Sequence, residues 1–473
     1  MIHCNFYING AWHEPAKPSI LFPIINPATE VPVGTVAMGD KTDADRAVLA
    51  ARAAFDTYSQ TSLTYRLEML KKLQAIFERR YTEMAQAIST EMGAPWDVAY
   101  YAQAECATGH IEATLEAAKD YPFEVKSGNG HLFCEAIGVC VLITPWNWPM
   151  NQVVAKLAPA LLAGCTVVLK PSEFSPLSAK LVGECMHEAG YEPGVFNMLY
   201  GHGPVVGAAL CAHCEVDLVS FTGSTSAGIA VAKAAADTVK RVVQELGGKS
   251  PNIIFADSDV ITSVALGVMR CFGNTGQTCN APTRMLIEKS VYDQAVAAAV
   301  VTGAQVRVID PAQKGDGIGP LAMKRQFETV QRFIGMGIEC DARLVLGGLG
   351  RPEGFDRGYF VKPTIFADVS NEMPIARQEI FGPVLCLIPF EDEEDAIQIA
   401  NDTLYGLAAY LSTNDKEKAR RVSKRLRVGT VSVNASGNEY CNPFGGYKQS
   451  GNGREWGRFG LHEFLEYKVV YGL

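Results

Sequence analysis

The amino-acid sequence predicts an α/β protein: a doubly wound sheet, a second α/β unit after it, and a small β element assembled from two distant segments. Three observations carry this. From residue 138, short apolar runs alternate with helical stretches, and near-continuous Val/Leu/Ile runs are what parallel strands need when helices cover both faces of their sheet. A second alternation begins near Pro251. Tyr121 to Glu135 and Phe464 to Tyr471 read as extended, the latter alternating Leu465, Tyr467, Val469 and Tyr471.

Taken in order, Asp40 to Gln60 offers Thr42 and Asp43 as cap candidates and places Ala47, Val48, Ala51, Ala54 and Phe55 at helical spacing. Tyr65 to Arg80 predicts a second helix. The doubly wound part then reads GVCVLIT, a helix from Met150 to Ala163, CTVVLK, a helix from Ser175 to Ala189, VFNMLY, DLVSFTG, a helix from Ala227 to Ala236, and RVVQEL. The junction falls at Gly247 and Gly248. Beyond it come NIIF, a helix from about Val260 to Phe272, MLIE, and further elements to about Val433. No internal repeat and no long linker interrupts the chain.

At 473 residues the chain exceeds one ordinary hydrophobic core, and about 150 residues per unit suggests roughly three modules. Apolar residues at 48% and charged residues at 20% exclude a disordered scaffold. A net charge of −9 without any Lys/Arg block argues against nucleic acid or an anionic membrane as partner, and leaves a small molecule. The N-terminus shows no basic and apolar leader pattern, and the longest apolar stretch, Val153 to Leu169, is broken by Lys156 and Pro159. Thirteen scattered cysteines lack the spacing of a metal site or a disulfide framework, which suits buried thiols in a reducing cytoplasm.

Six segments stand out: ITPWNWP around Asn147, LKPSE at 169–173, SFTGST at 220–225, QELGGKSP around Glu245, GNTGQTCN ending at Cys279 and Asn280, and QEIFGPV at 378–384. Together, in this order, they resemble the aldehyde dehydrogenase superfamily, from FYINGAW near the start to PFGGYKQSGNGRE near the end. The resemblance implies a Rossmann-like cofactor domain from 1–119 and 137–247, a catalytic domain at 248–447, and an oligomerisation element from 120–136 and 448–473. It implies a cytoplasmic homodimer or homotetramer that oxidises an aldehyde with NAD, NADP being less favoured. The separation of Glu245 and Cys279 by 34 positions is similar to the branch that releases its product with water rather than coenzyme A.

By that resemblance Cys279 is the nucleophile, a thiolate being effective near neutral pH. Attack places charge on the former carbonyl oxygen, and Asn147 resembles the side-chain donor that meets it together with the backbone N–H of Cys279. Glu245, before the flexible pair Gly247 and Gly248, resembles the base that activates water. Glu455 resembles a second carboxylate that relays the proton, with an ion pair to a nearby Arg as the plainer reading. Among the eight histidines none forms a pattern that would pair with Cys279 as in a thiol hydrolase.

The glycine fingerprint of an ordinary dinucleotide fold is absent. Phe221, Thr222, Gly223 and Ser224 instead end a strand before a helix whose N-terminus suits pyrophosphate. The resemblance adds Thr144, Pro145 and Trp146, Gly203 and Gly207, Leu246 and Gly247, and Glu379 and Phe381 at the nicotinamide ribose and ring. Lys170, Ser172 and Glu173 fall at the adenosine ribose, where a carboxylate accepts from both hydroxyls and repels a 2′-phosphate. Trp148, Asn151, Gln152, Ala155, Gly273, Asn438 and Phe444 face the aldehyde by resemblance, small or polar at several places, and predict a wide pocket. A CoA-acylating relative and a catalytically silent binding or structural protein are the competing readings.

Overall fold

A computed structural model describes residues 2–473. Five parallel strands form the centre of the first sheet, in the order Arg241–Glu245, Leu218–Thr222, Val139–Ile143, Thr166–Lys170 and Phe196–Met198. The Val139–Ile143 strand is first in the chain and central in space. The next two strands extend the sheet to one side, and the last two return to the other. This is the doubly wound order, whose reversal opens a crevice at the carboxyl ends of the strands. The register brings those ends level, with Ile143 opposite Lys170 and Thr222 opposite Glu245.

Antiparallel strands finish both edges: Gly451–Asn452 beside Arg241–Glu245, and Phe6–Ile8 followed by Ala11–His13 beside Phe196–Met198. Every residue of Val139–Ile143 and Thr166–Lys170 is buried, as strands covered on both faces require. The helices follow the expected spans closely, Pro149–Ala163, Pro176–Ala189 and Thr225–Ala235 among them. One cap differs. The helix Lys41–Tyr58 is capped by Asp40, whose carboxylate accepts from the N–H groups of Thr42 and Asp43. Asp43 reciprocates as the third member of a capping box, and Thr42 lies inside the helix.

The second sheet has seven strands in the order Arg343–Leu346, Thr364–Ala367, Val384–Phe390, Arg284–Glu288, Pro251–Ile254, Ala408–Ser412 and Thr430–Val433. Only the Arg343–Leu346 strand is antiparallel to its neighbour. Helices Val260–Phe272 and Tyr292–Gln305 pack on one face, and Lys324–Glu339 with Glu393–Asn401 on the other, giving this unit a core on each side. The two extended segments named from sequence pair: Leu465–Tyr471 lies against Gly130–Ala136, which lies against Glu124–Ser127. A further small sheet of Ile2–Cys4, Val31–Val36 and Phe22–Asn26 has no counterpart in the sequence reading.

Candidate functional site

The loop after the helix Val260–Phe272 runs through three consecutive left-handed residues, Asn274 (φ 52°), Thr275 (φ 57°) and Gly276 (φ 70°). Two of them carry side chains, so the conformation persists only where the surroundings over-determine it. They do. The Asn274 carboxamide accepts from Gln103 Nε2 at 2.9 Å and donates to the carbonyls of Asn147 at 3.0 Å and Gln277 at 3.2 Å. Thr275 donates to Gly319 O at 3.1 Å, and Gln277 accepts from Ala322 N at 2.9 Å. The loop therefore delivers Cys279 to a fixed position. A Cβ on Gly248 would stand 2.3 Å from the Cys279 carbonyl oxygen, so only glycine permits this approach of the two units.

Asn147 reaches the same loop. Its side-chain amide donates to Gln277 O at 2.9 Å, which leaves its second N–H without a partner among the described residues. Glu245 ends the strand Arg241–Glu245, is 3% exposed, and has neither carboxylate oxygen bonded. Burial, and then the charge of Glu455, push its carboxyl well above the usual range. Burial, followed by Glu379 and Glu245, pushes the Cys279 thiol up to about 12. Gly247 and Gly248, expected to give Glu245 freedom, also serve close packing. A Cβ on Gly247 would meet Glu379 Oε2 at 2.3 Å, and the Gly247 carbonyl accepts from Ser450 Oγ at 2.6 Å.

Glu455 is tethered as the plainer reading anticipated, though by Lys156 rather than by an arginine. Lys156 is fully buried in the helix Pro149–Ala163 and also donates to Thr222 Oγ1 at 2.7 Å. The adjacent Arg454 spends its guanidinium on the carbonyls of Gly446 and Gly453. Sequence reasoning met Lys156 only as a break in an apolar run, although a lysine there requires a buried anion. Gln103 and Asn274 were missed altogether.

The cofactor candidates line the carboxyl ends of the first sheet. Lys170 Nζ lies 3.6 Å from Glu173 Oε2 and donates to Pro171 O at 3.2 Å, and burial lowers its pKa. Thr144 N donates to Lys170 O at 3.2 Å. Ser224 caps Thr225–Ala235, accepting from Ala227 N at 3.3 Å, and open space stands where a side chain on Gly203 would be. Gly203 and Gly207 bound one π-helical turn beside this edge. Trp146, after Pro145, meets Phe381 edge-on at 5.6 Å, and Glu379 accepts from Gly248 N at 3.0 Å, its carboxyl raised to about 7 by burial. Such an edge, with a helix N-terminus, a lysine and a carboxylate, has the donors and acceptors a dinucleotide needs. Four of the candidates also make contacts within the fold. The Thr222 hydroxyl is taken by Lys156, Ser172 Oγ accepts from Phe174 N at 3.2 Å, and Phe221 and Leu246 are buried.

A cavity of about 390 Å³ opens between Trp148, Gly273 and Asn438, and its wall includes Thr278 and Asn280, the chain neighbours of Cys279. Asn151, Gln152, Ala155 and Phe444 are not on its wall. Asn151 Oδ1 lies 2.7 Å from His110 Nε2, Gln152 and Ala155 are buried in their helix, and Phe444 stacks on Trp456 at 4.5 Å. The Pro149–Ala163 helix is buried almost all round, which turns those side chains into its neighbours rather than into the opening.

The sequence pattern of the aldehyde dehydrogenase family matches residues 12–470. The chain belongs to the aldehyde dehydrogenase family. It is 52% identical to 3-succinoylsemialdehyde-pyridine dehydrogenase of Pseudomonas sp, over 99% of this chain and 98% of that one. Among solved structures it is similar to aldehyde dehydrogenase from Bartonella henselae, with a TM-score of 0.98 and 47% identity, covering 99% of both chains. It is also similar to a cysteine-to-alanine mutant of aldehyde dehydrogenase C from Pseudomonas syringae in complex with NAD+ and octanal. That match has a TM-score of 0.97 and 48% identity, covering 99% of this chain and 96% of that one. Among the described residues of this family member, no cluster of three or more His, Cys, Asp or Glu could hold a metal ion, and no helix is long and apolar enough to cross a membrane.

Proposed function

We propose that this chain oxidises an aldehyde to a carboxylic acid through a thioester on Cys279, with NAD preferred over NADP. The observation that carries the reading is the convergence of a loop-held Cys279, an Asn147 amide with a spare N–H and an unbonded Glu245 carboxyl on one junction. The sulfur adds to the carbonyl carbon, and the displaced electron pair on oxygen is met by Asn147 and the Cys279 N–H. The carboxyl edge of the first sheet would hold NAD, which would accept the hydride as the C–H bond breaks, the C=O bond re-forms and the thioester on Cys279 results. Glu245 then takes a proton from water as its oxygen attacks the thioester carbon, the C–S bond breaks and the thiol is restored. Glu455, held by Lys156, is the carboxylate to which Glu245 would hand on the proton.

Glu173 beside Lys170 supports the NAD preference, a carboxylate being unfavourable next to a 2′-phosphate. The octanal complex of the Pseudomonas syringae relative supports aldehydes longer than acetaldehyde, as does the open Gly273 side of the cavity. The presence of Glu245 counts against a CoA-acylating reaction, in which water must not be activated. Tyr467, Val469 and Tyr471, exposed on an edge strand, support a role for the small sheet in homodimer or homotetramer contacts.

The test is Cys279→Ala. It should bind NAD as wild type does, by fluorescence titration, and form no NADH with an aldehyde panel. Turnover near the wild-type rate would overturn the mechanism.

A further inference from the structure

Arg270 stands in the last turn of the helix Val260–Phe272, three residues before Gly273, and forms part of the wall of the cavity lined by Thr278 and Asn280, the chain neighbours of Cys279. It also borders the neighbouring cavity beyond Tyr410. Its position is set from two sides. Nη2 donates to Ala435 O at 2.7 Å and Ser436 O at 3.3 Å, and the guanidinium lies 5.2 Å over the Tyr410 ring. Tyr410 in turn donates to Asn280 O at 3.0 Å, so the arginine is indexed to the residue that follows the nucleophile.

What Arg270 lacks is an acid. No carboxylate lies within ion-pair distance of it among the described residues, and none belongs to the side chains lining the Cys279 cavity. Two carbonyls occupy Nη2, and Nε and Nη1 have no partner among the described residues. The rest of that wall is polar and uncharged, with Thr278, Asn280, Ser432, Ser436 and Asn438. A half-exposed guanidinium fixed by a ring and two carbonyls, with a free edge and no counter-ion, is prepared for a planar anion. A loop anchor alone would need only the two carbonyl bonds.

We propose that Arg270 recognises a carboxylate at the far end of the substrate, and that the preferred aldehydes are short semialdehydes of dicarboxylic acids. The inference rests on the aldehyde-oxidising reading above and names the substrate class of the same site. Arg270 is a substrate-binding residue here and takes no part in bond making.

The experiment compares 4-oxobutanoate with butanal and 5-oxopentanoate with pentanal, in wild type, Arg270→Met and Arg270→Lys, reading kcat and KM separately. Wild type should favour at least one carboxylated member over its uncharged partner. In Arg270→Met that preference should fall by about 10- to 100-fold, chiefly through KM, as expected for a charged hydrogen-bonding pair, and Arg270→Lys should restore part of it. A wild-type enzyme that oxidises butanal and pentanal but prefers neither carboxylated aldehyde overturns the proposal alone. Parallel loss for charged and uncharged substrates in Arg270→Met also overturns it, and reduces Arg270 to a loop anchor. If no aldehyde is oxidised, the aldehyde reading itself fails. Binding then decides about Arg270: glutarate should raise the melting temperature of wild type and not of Arg270→Met, and equal shifts would count against the proposal.

Discussion

Glu245 and Glu455 are both buried glutamates, 3% and 5% exposed, the first ending the strand Arg241–Glu245 and the second following the strand Gly451–Asn452 that pairs with it, yet their surroundings differ completely. Glu455 faces the ammonium of Lys156, which Thr222 also holds. Glu245 has no hydrogen-bond partner on either oxygen, and a Cβ on Gly445 would lie 2.6 Å from its Oε1. Glu455 has a counter-charge beside it, and Glu245, buried with no bonded partner among the described residues, is the one placed for proton exchange. The paired carboxylate is fixed by its ammonium partner. The unpaired one holds its proton more tightly because burial and its neighbour's charge both oppose ionisation, and it is the one able to exchange a proton with water.

Breaking the pair gives the largest effect. Lys156→Met leaves Glu455 buried without a counter-charge, and loss of one partner of a buried pair costs about 3–5 kcal/mol. The variant should melt well below wild type. It should also need higher pH for turnover, because Lys156 lowers the Glu245 pKa and its removal lets that pKa rise. An unchanged melting temperature would mean that the pair is not formed.

Crowding the unpaired member should come next. Gly445→Ala places a methyl group against Glu245 at a position with φ +154°. Thioester hydrolysis should slow roughly tenfold, equivalent to about 1.4 kcal/mol of barrier, while the first NADH forms at the wild-type rate. Equal slowing of both phases would place the damage at Cys279 instead.

The smallest effect is a displacement of the pH profile in Glu455→Gln. The Glu455 charge raises the Glu245 pKa, so its removal lowers it, and the acid limb of the hydrolysis rate should move to lower pH. A limb that stays in place or moves to higher pH would show that Glu455 does not act on Glu245.

The same comparison marks how far the sequence alone could be read. The strand Val139–Ile143 and its neighbours were legible because strands buried on both faces must be apolar throughout, and that constraint is written into consecutive residues. Cys279, Asn147 and Glu245 were legible through motifs rather than through any single residue type. Lys156 and Glu455 lie 299 positions apart, and nothing local to either specifies the other, so the partner of Glu455 was taken for an arginine. Gln103, which holds Asn274 and with it the nucleophile loop, acts across 171 positions from a π-helical turn with no distinctive sequence. Gly247 and Gly248 were read as freedom, and the structure adds a close approach that a glycine in sequence does not announce. Asn151 and Gln152 follow Asn147 within a turn or so of one helix, and only the burial of that helix on nearly every side decides that they face neighbours rather than the opening.

The most direct test of the central claim, that Cys279 carries the acyl group and Glu245 releases it, is rapid mixing of Glu245→Gln with NAD and a good aldehyde substrate. An amide preserves the shape of the side chain but does not take a proton from water, so the variant should form a burst of NADH approaching one per site and then turn over very slowly. Loss of the burst together with the steady rate, or a steady rate near wild type, would contradict the account.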